Sequence, residues 1–138
     1  GDHDAGATVE TYTDPATGLP VYSLYRKDSQ HMTPEMLDLV DTVIYDIQDI
    51  GARFYTYIST LLYVMRDCAA AGKELVVLDR INPLGGKIEG GMLQPGFESF
   101  VGVYPLTTRY GLTPVSCRLA MRNSTSAARC TSAVQLAA

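Results

Sequence analysis

The 138-residue sequence has no tryptophan, two histidines, three cysteines and no long unbroken apolar run. A membrane-spanning helix needs roughly 18–20 apolar residues, so a membrane span is excluded. Three cysteines fit neither a disulfide framework nor a zinc site. Cys68 falls in a helical pattern and reads as a small core residue, while Cys117 and Cys130 lack a framework spacing. His3 and His31 have no partner at metal-ligand spacing, so no metal site is expected. Gly85-Gly86 and Gly90-Gly91 lack the strand–turn–helix setting of a phosphate-binding loop. No serine sits in a nucleophile elbow, and no cofactor is expected. There is no starting Met and no signal-peptide pattern. The polar start Gly1-Asp2-His3-Asp4 is expected to be a processed end or a cut from something longer.

The last 24 residues lack acids, glycines, prolines and aromatics altogether. They carry Arg118, Arg122 and Arg129, a net +3, whereas residues 1–114 carry eight basic and fifteen acidic residues, a net −7. The overall −4 thus joins an acidic, motif-rich body to a basic, motif-poor tail. Phosphate binding wants a basic face, so nucleic acid is not expected as a partner. The whole chain, 46% hydrophobic and 19% charged, has the composition of a globular protein. Its length suits one domain.

Turn chemistry comes first, in Asp14-Pro15-Ala16-Thr17-Gly18-Leu19-Pro20. Val21–Tyr25 follows, rich in β-branched and aromatic residues, and predicts a strand. Thr33 as N-cap, Pro34 at the first position and Glu35 in the first turn predict a short helix. Thr42–Ile47 is nearly continuous in apolar residues, as strands buried on both faces tend to be. A long helix is expected from about Phe54 to Ala71, with Phe54, Ile58, Leu61, Leu62, Met65 and Ala69 on one stripe and Gly72 as its stop. Glu74–Asp79 predicts a third strand. Strands alternating with helices across short loops argue for an α/β fold with a parallel sheet and right-handed crossovers. Arg80–Gly86 is expected as a tight loop, and residues 87–114 as an irregular excursion with a short strand at Phe100–Tyr104. A ragged helix is expected near 116–122.

Ligands of open parallel sheets gather outside the carboxyl ends of the strands. Two predicted strands end there in charge. Asp46 closes one, followed by Gln48, Asp49 and Arg53; Asp79 closes the other, followed by Arg80 and Asn82. Glu89 and the Tyr55/Tyr57 pair are placed near the same edge. Carboxylates with amides, tyrosines and arginines suit a polyhydroxylated or acidic sugar, and glycoside hydrolysis uses two carboxyl groups flanking the scissile bond. The plainer alternative is structural: Asp49–Arg53 and Asp79–Arg80 as loop-fastening ion pairs, and Asp46 as a helix cap.

Tyr45–Tyr57 reads YDIQDIGARFYTY and resembles the FDIQDVGARFYTY signature of the exo-β-N-acetylmuramidase (NamZ/YbbC-like) family. Leu78–Gly86 resembles its LDRPNPLGG, with Ile81 in place of Pro. Ser99–Pro105 and Arg109–Thr113 are similar to its SFVGLYPIP-RHGMT, with Tyr110 in place of His. Gly1–Gly6 resembles the stretch after its PEHGFR. The likeness covers residues 1–114, and residues 115–138 read as a tail outside it. It implies part of a Rossmann-like, three-layer α/β domain that meets a second domain across a cleft. It also implies removal of N-acetylmuramic acid from the non-reducing end of peptidoglycan fragments in the cell envelope, with the oligomeric state left open.

By position, the resemblance makes Asp46, Asp49 and Asp79 the candidate catalytic carboxylates. Gln48, Arg53, Tyr55, Arg80, Asn82 and Glu89 become substrate-binding candidates, with Arg53 or Arg80 meeting the sugar's lactyl carboxylate. The chain starts after the PEHG glutamate, the favoured general acid, and Val115-Ser116-Cys117-Arg118 stands where the family has GELA. The 138 residues alone are therefore expected to be inactive. A non-catalytic sugar- or peptidoglycan-binding module is the alternative, and a folded remnant without a partner the third reading.

Overall fold

A computed structural model describes residues 10–121 and 130–134, with side chains up to residue 117. The Gly1–Gly6 stretch, His3 and the side chain of Cys130 lie outside the described residues.

Strands β1 (Tyr12–Thr13) and β2 (Pro20–Val21) form an antiparallel hairpin. Asp14 closes its turn by accepting from the amides of Ala16 and Thr17, both at 3.2 Å. Of the strand expected at Val21–Tyr25 only Val21 is extended in a pairing, and it does not join the main sheet. Beyond it Ser23 turns the chain: its hydroxyl accepts from the Tyr25 amide and its carbonyl from Arg26. Arg26 also donates to the His31 carbonyl at 2.6 Å, curling the segment. Asp67 then anchors the segment, pairing with His31 Nδ1 and accepting from the Met32 amide, both at 2.8 Å.

Helix α1 (Pro34–Asp38) starts as its sequence dictates, with the Thr33 hydroxyl accepting from the Met36 amide. Strand β3 (Thr42–Tyr45) leads through a loop and a 3-10 turn, η1 (Arg53–Tyr55), into helix α2 (Tyr57–Ala71) and strand β4 (Glu74–Asp79). The expected helix thus loses its first turn, because Thr56 sits at φ 63° and breaks the path between η1 and α2. At the other end Gly72, at φ 68°, donates to Ala69 and Lys73 donates to Cys68, the paired bonds of a Schellman cap.

Strands β3 and β4 are parallel, with Tyr45 opposite Val77. The third parallel strand comes from an unexpected place, β7 (Cys130–Val134), which makes β4 central. Helix α3 (Pro114–Met121) precedes it, where the sequence predicts a ragged helix. Ile58, Leu61 and Leu62 of α2 pack with Tyr45, Leu75, Val77, Tyr110 and Cys117 in one core. β3 departs from the expectation of burial on both faces: Ile44 is 64% exposed. As the outer strand of the described sheet, β3 is covered on the α2 side only.

The excursion over residues 87–114 is more regular than its glycines suggest. Strands β5 (Glu89–Met92) and β6 (Thr107–Arg109) pair antiparallel through an irregular register. Gly90 makes this possible, at φ 82° with the Thr108 side chain 2.6 Å from where a Cβ would stand. The strand expected at Phe100–Tyr104 is instead a tight turn, in which Ser99 and Gly102 exchange both backbone bonds.

Candidate functional site

The loops after β3 and β4 and the β6–α3 connection meet at the carboxyl edge of the sheet. Gly51, at φ 78°, lies so close to Asn82 that an added Cβ would overlap its amide. The Gly51 carbonyl accepts from the Tyr110 amide at 3.2 Å. Gly111, at φ 62°, presses its backbone on Gly86, leaving 2.6 Å between a built Cβ and the Gly86 carbonyl. Three loops are thereby fixed to one another through close backbone contact that side chains would prevent.

Asp46 and Arg80 stand at this edge as an ion pair, with the Asp46 side chain 52% exposed. Gln48 is also exposed. Asp49 is different: it is 3% exposed, and its Oδ2 accepts from the Gly51 amide and the Tyr110 hydroxyl. Its Oδ1 is buried with no partner. Burial pushes the Asp49 carboxyl above its ordinary range, against the opposing backbone hydrogen bonds. Nearby, burial first and the charges of Asp49 and Asp79 next push the Cys117 thiol up to about 12, so it stays protonated. Burial also raises the Tyr45 phenol, whose hydroxyl donates to the Tyr57 carbonyl at 2.8 Å.

Asp79 faces α3. It accepts from the Thr113 hydroxyl at 2.7 Å and the Val115 amide at 3.3 Å, placing a carboxylate at the start of that helix. Asn82 is buried; its amide donates to the Leu112 carbonyl at 3.0 Å and its oxygen accepts from the Leu84 amide at 2.9 Å. Arg53 turns away from the carboxylates and donates to the Leu106 carbonyl at 2.6 Å. Glu89 is held by Lys87 and Arg109, which in that order lower its carboxyl pKa. Tyr55 meets Tyr57 edge to face at 4.8 Å.

The structure therefore joins Asp46 to Arg80 and leaves Gln48 and Tyr55 open to solvent. Asp49, Asp79, Asn82 and Arg53 are engaged in holding loops, and Glu89 belongs to the β5–β6 hairpin. Neither structural pair weighed from the sequence, Asp49–Arg53 or Asp79–Arg80, is among the ion pairs of the described residues. Aspartate and arginine adjacent in sequence point to different loops here. Sequence reasoning missed Tyr110 and Thr113 as the partners of Asp49 and Asp79. Only the Tyr-for-His departure at Tyr110 marked that position. Among the described residues no three His, Cys, Asp or Glu side chains converge as a metal would require.

The profile of the N-terminal region of exo-β-N-acetylmuramidase NamZ matches residues 1–136. The chain is 52% identical over 114 residues to the peptidoglycan β-N-acetylmuramidase NamZ of Bacillus subtilis (strain 168), covering 82% of this chain and 27% of that protein. Two DUF1343 family proteins of Bacteroides fragilis NCTC 9343 share its fold in crystal structures. One has TM-score 0.78 at 46% identity, over 88% of this chain and 32% of the other. The second has TM-score 0.74 at 31% identity, over 88% and 33%. The sequence thus spans about a third or less of the length of these relatives. With its family profile matched from end to near end, and its fold shared with these solved relatives, the chain belongs to the NamZ N-terminal family.

Proposed function

We propose that this stretch forms one wall of the sugar site of a peptidoglycan glycosidase that releases N-acetylmuramic acid in the cell envelope. The observation that carries the reading is the 52% identity to a protein named for that activity. The geometry favours a division of roles. Arg80 meets the lactyl carboxylate of the sugar, since a guanidinium fork binds a carboxylate through two parallel charge-assisted bonds. Arg53, the other sequence candidate, is engaged with the Leu106 carbonyl. Asp46 holds Arg80 in place before the ligand arrives and is the exposed carboxylate beside the sugar. Gln48 and Tyr55 offer hydroxyl partners from the same edge. Asp49, Asp79 and Asn82 set the loop positions.

A second reading has one observation in its favour. Glycoside hydrolysis uses two carboxyl groups, and of the three carboxylates at this edge only Asp46 is open to solvent. The 138-residue chain should then bind without turning over. The test is an NMR titration with a disaccharide bearing N-acetylmuramic acid at its non-reducing end, alongside assay of released sugar. The expectation is saturable binding, lost in Arg80→Ala, retained in Arg53→Ala if that variant folds, and no release. Binding that Arg80→Ala leaves unchanged would remove the assigned role. Release above buffer would rule out the binding-only reading.

A further inference from the structure

The helical stripe expected from Phe54 onward would bury that ring. Phe54 is instead 61% exposed, in η1 at the carboxyl edge of the sheet. The cause is local. Thr56 occupies the left-handed region at φ 63°, a conformation that a β-branched residue adopts only when its surroundings impose it. Behind it, the Thr56 carbonyl is held by the Thr60 amide at 3.0 Å. In front, Ala52 bridges to Arg109, and Arg53 donates to the Leu106 carbonyl. Tyr55 is braced edge to face on Tyr57. The turn is pinned on both sides and carries an exposed aromatic ring in the connection that leaves the carboxyl end of β3, the same connection that bears Asp46 and Gln48.

A pyranose ring presents two chemistries, an apolar C–H face and a polar rim. The polar side chains of this edge serve the rim, and an exposed ring on a rigid turn serves the face. We propose that Phe54 is the stacking residue for a pyranose ring of the bound glycan, and that the strained Thr56 junction is what presents it. This rests on the sugar-site reading above and adds a specificity-determining contact to it.

The absence of tryptophan supplies the reporter. Phe54→Trp introduces a single indole whose emission reads its own surroundings. Wild type, Phe54→Ala and Phe54→Trp are titrated with the same muramic-acid disaccharide, by NMR and by fluorescence for the Trp variant, with circular dichroism as the folding control. Phe54→Ala should weaken binding by about three- to tenfold, the worth of one aromatic stacking contact. Phe54→Trp should keep the affinity and change its emission on saturation. Wild-type binding with Phe54→Ala within twofold of it, or a silent indole at saturation, overturns the stacking role and leaves the sugar-site reading standing. No binding by wild type overturns both.

Discussion

Removing one oxygen atom, in Tyr110→Phe, tests whether Asp49 is a buried structural carboxylate. Tyr110 and Asp49 are both buried, and Asp49 has two donors on Oδ2 and none on Oδ1. Phenylalanine keeps the ring's packing and leaves Asp49 with backbone amides only. A hydrogen bond to a charged group contributes about 1.5–3 kcal/mol and a neutral one about 0.5–1.5. The cost must therefore depend on whether Asp49 is ionised.

The sign follows from the direction of the shift. Burial raises the folded-state pKa above the ordinary 3.8. Between these two values the folded state binds more protons than the unfolded one, so stability falls as pH rises through that window and levels off above it. Loss of the tyrosine donor raises the folded pKa further and extends the fall. We expect Tyr110→Phe to cost about 1 kcal/mol near pH 4 and about 2–3 kcal/mol near pH 8. At the higher pH the melting temperature should drop by roughly 5–12 °C for a domain of this size. Urea unfolding followed by circular dichroism across that range measures it, and Asp49→Asn should flatten the profile. A cost that is equal at both ends, or below about 0.5 kcal/mol throughout, would refute the assignment.

Gly51→Ala should destabilise by more than about 2 kcal/mol, read by the same unfolding assay, because both its positive φ and the Asn82 amide oppose a Cβ. Thr56→Gly should stabilise by about 1 kcal/mol, since glycine enters the left-handed region without steric cost; a loss of stability would mean that Thr56 is not strained. The Ser59 hydroxyl is buried and unpartnered beside a small pocket lined by Arg53, Ile58 and Leu106. Ser59→Ala should therefore leave the unfolding midpoint unchanged or raise it, by up to about 1 kcal/mol.

Features set by neighbouring residues were legible in the sequence. The Thr33-Pro34-Glu35 start of α1, the Gly72 stop of α2 and the limits of β4 follow from local chemistry. The family motifs, contiguous over many residues, carried the membership. What escaped depends on contacts distant in sequence. Phe54 fits the apolar stripe of a helix, and the left-handed Thr56 junction between η1 and α2 takes it out of that stripe. Asp49 reads from the sequence as an open carboxylate, and its burial under Tyr110, 61 residues away, is visible only in the fold. Gly90 and Gly91 argue against a strand, and Thr108 seated in the space left by a missing Cβ explains why one forms. In the candidate site, topology placed the edge, but neither the Asp46–Arg80 pairing nor the division between open and committed side chains could be read from the sequence.

The place of β4 bears on where this polypeptide can be cut. The charge split and the last contiguous motif both suggest a seam at residue 114, although the family profile runs on to residue 136. Such a cut would remove Cys117 from the apolar interior, and it would leave the Asp79 carboxylate without the Val115 amide. It would also strip β7 from β4 and turn a central strand into an open edge, whose unpaired amides and carbonyls recruit other chains. Strand β7 covers that edge, and a version trimmed at 114 should aggregate where the longer chain stays dispersed.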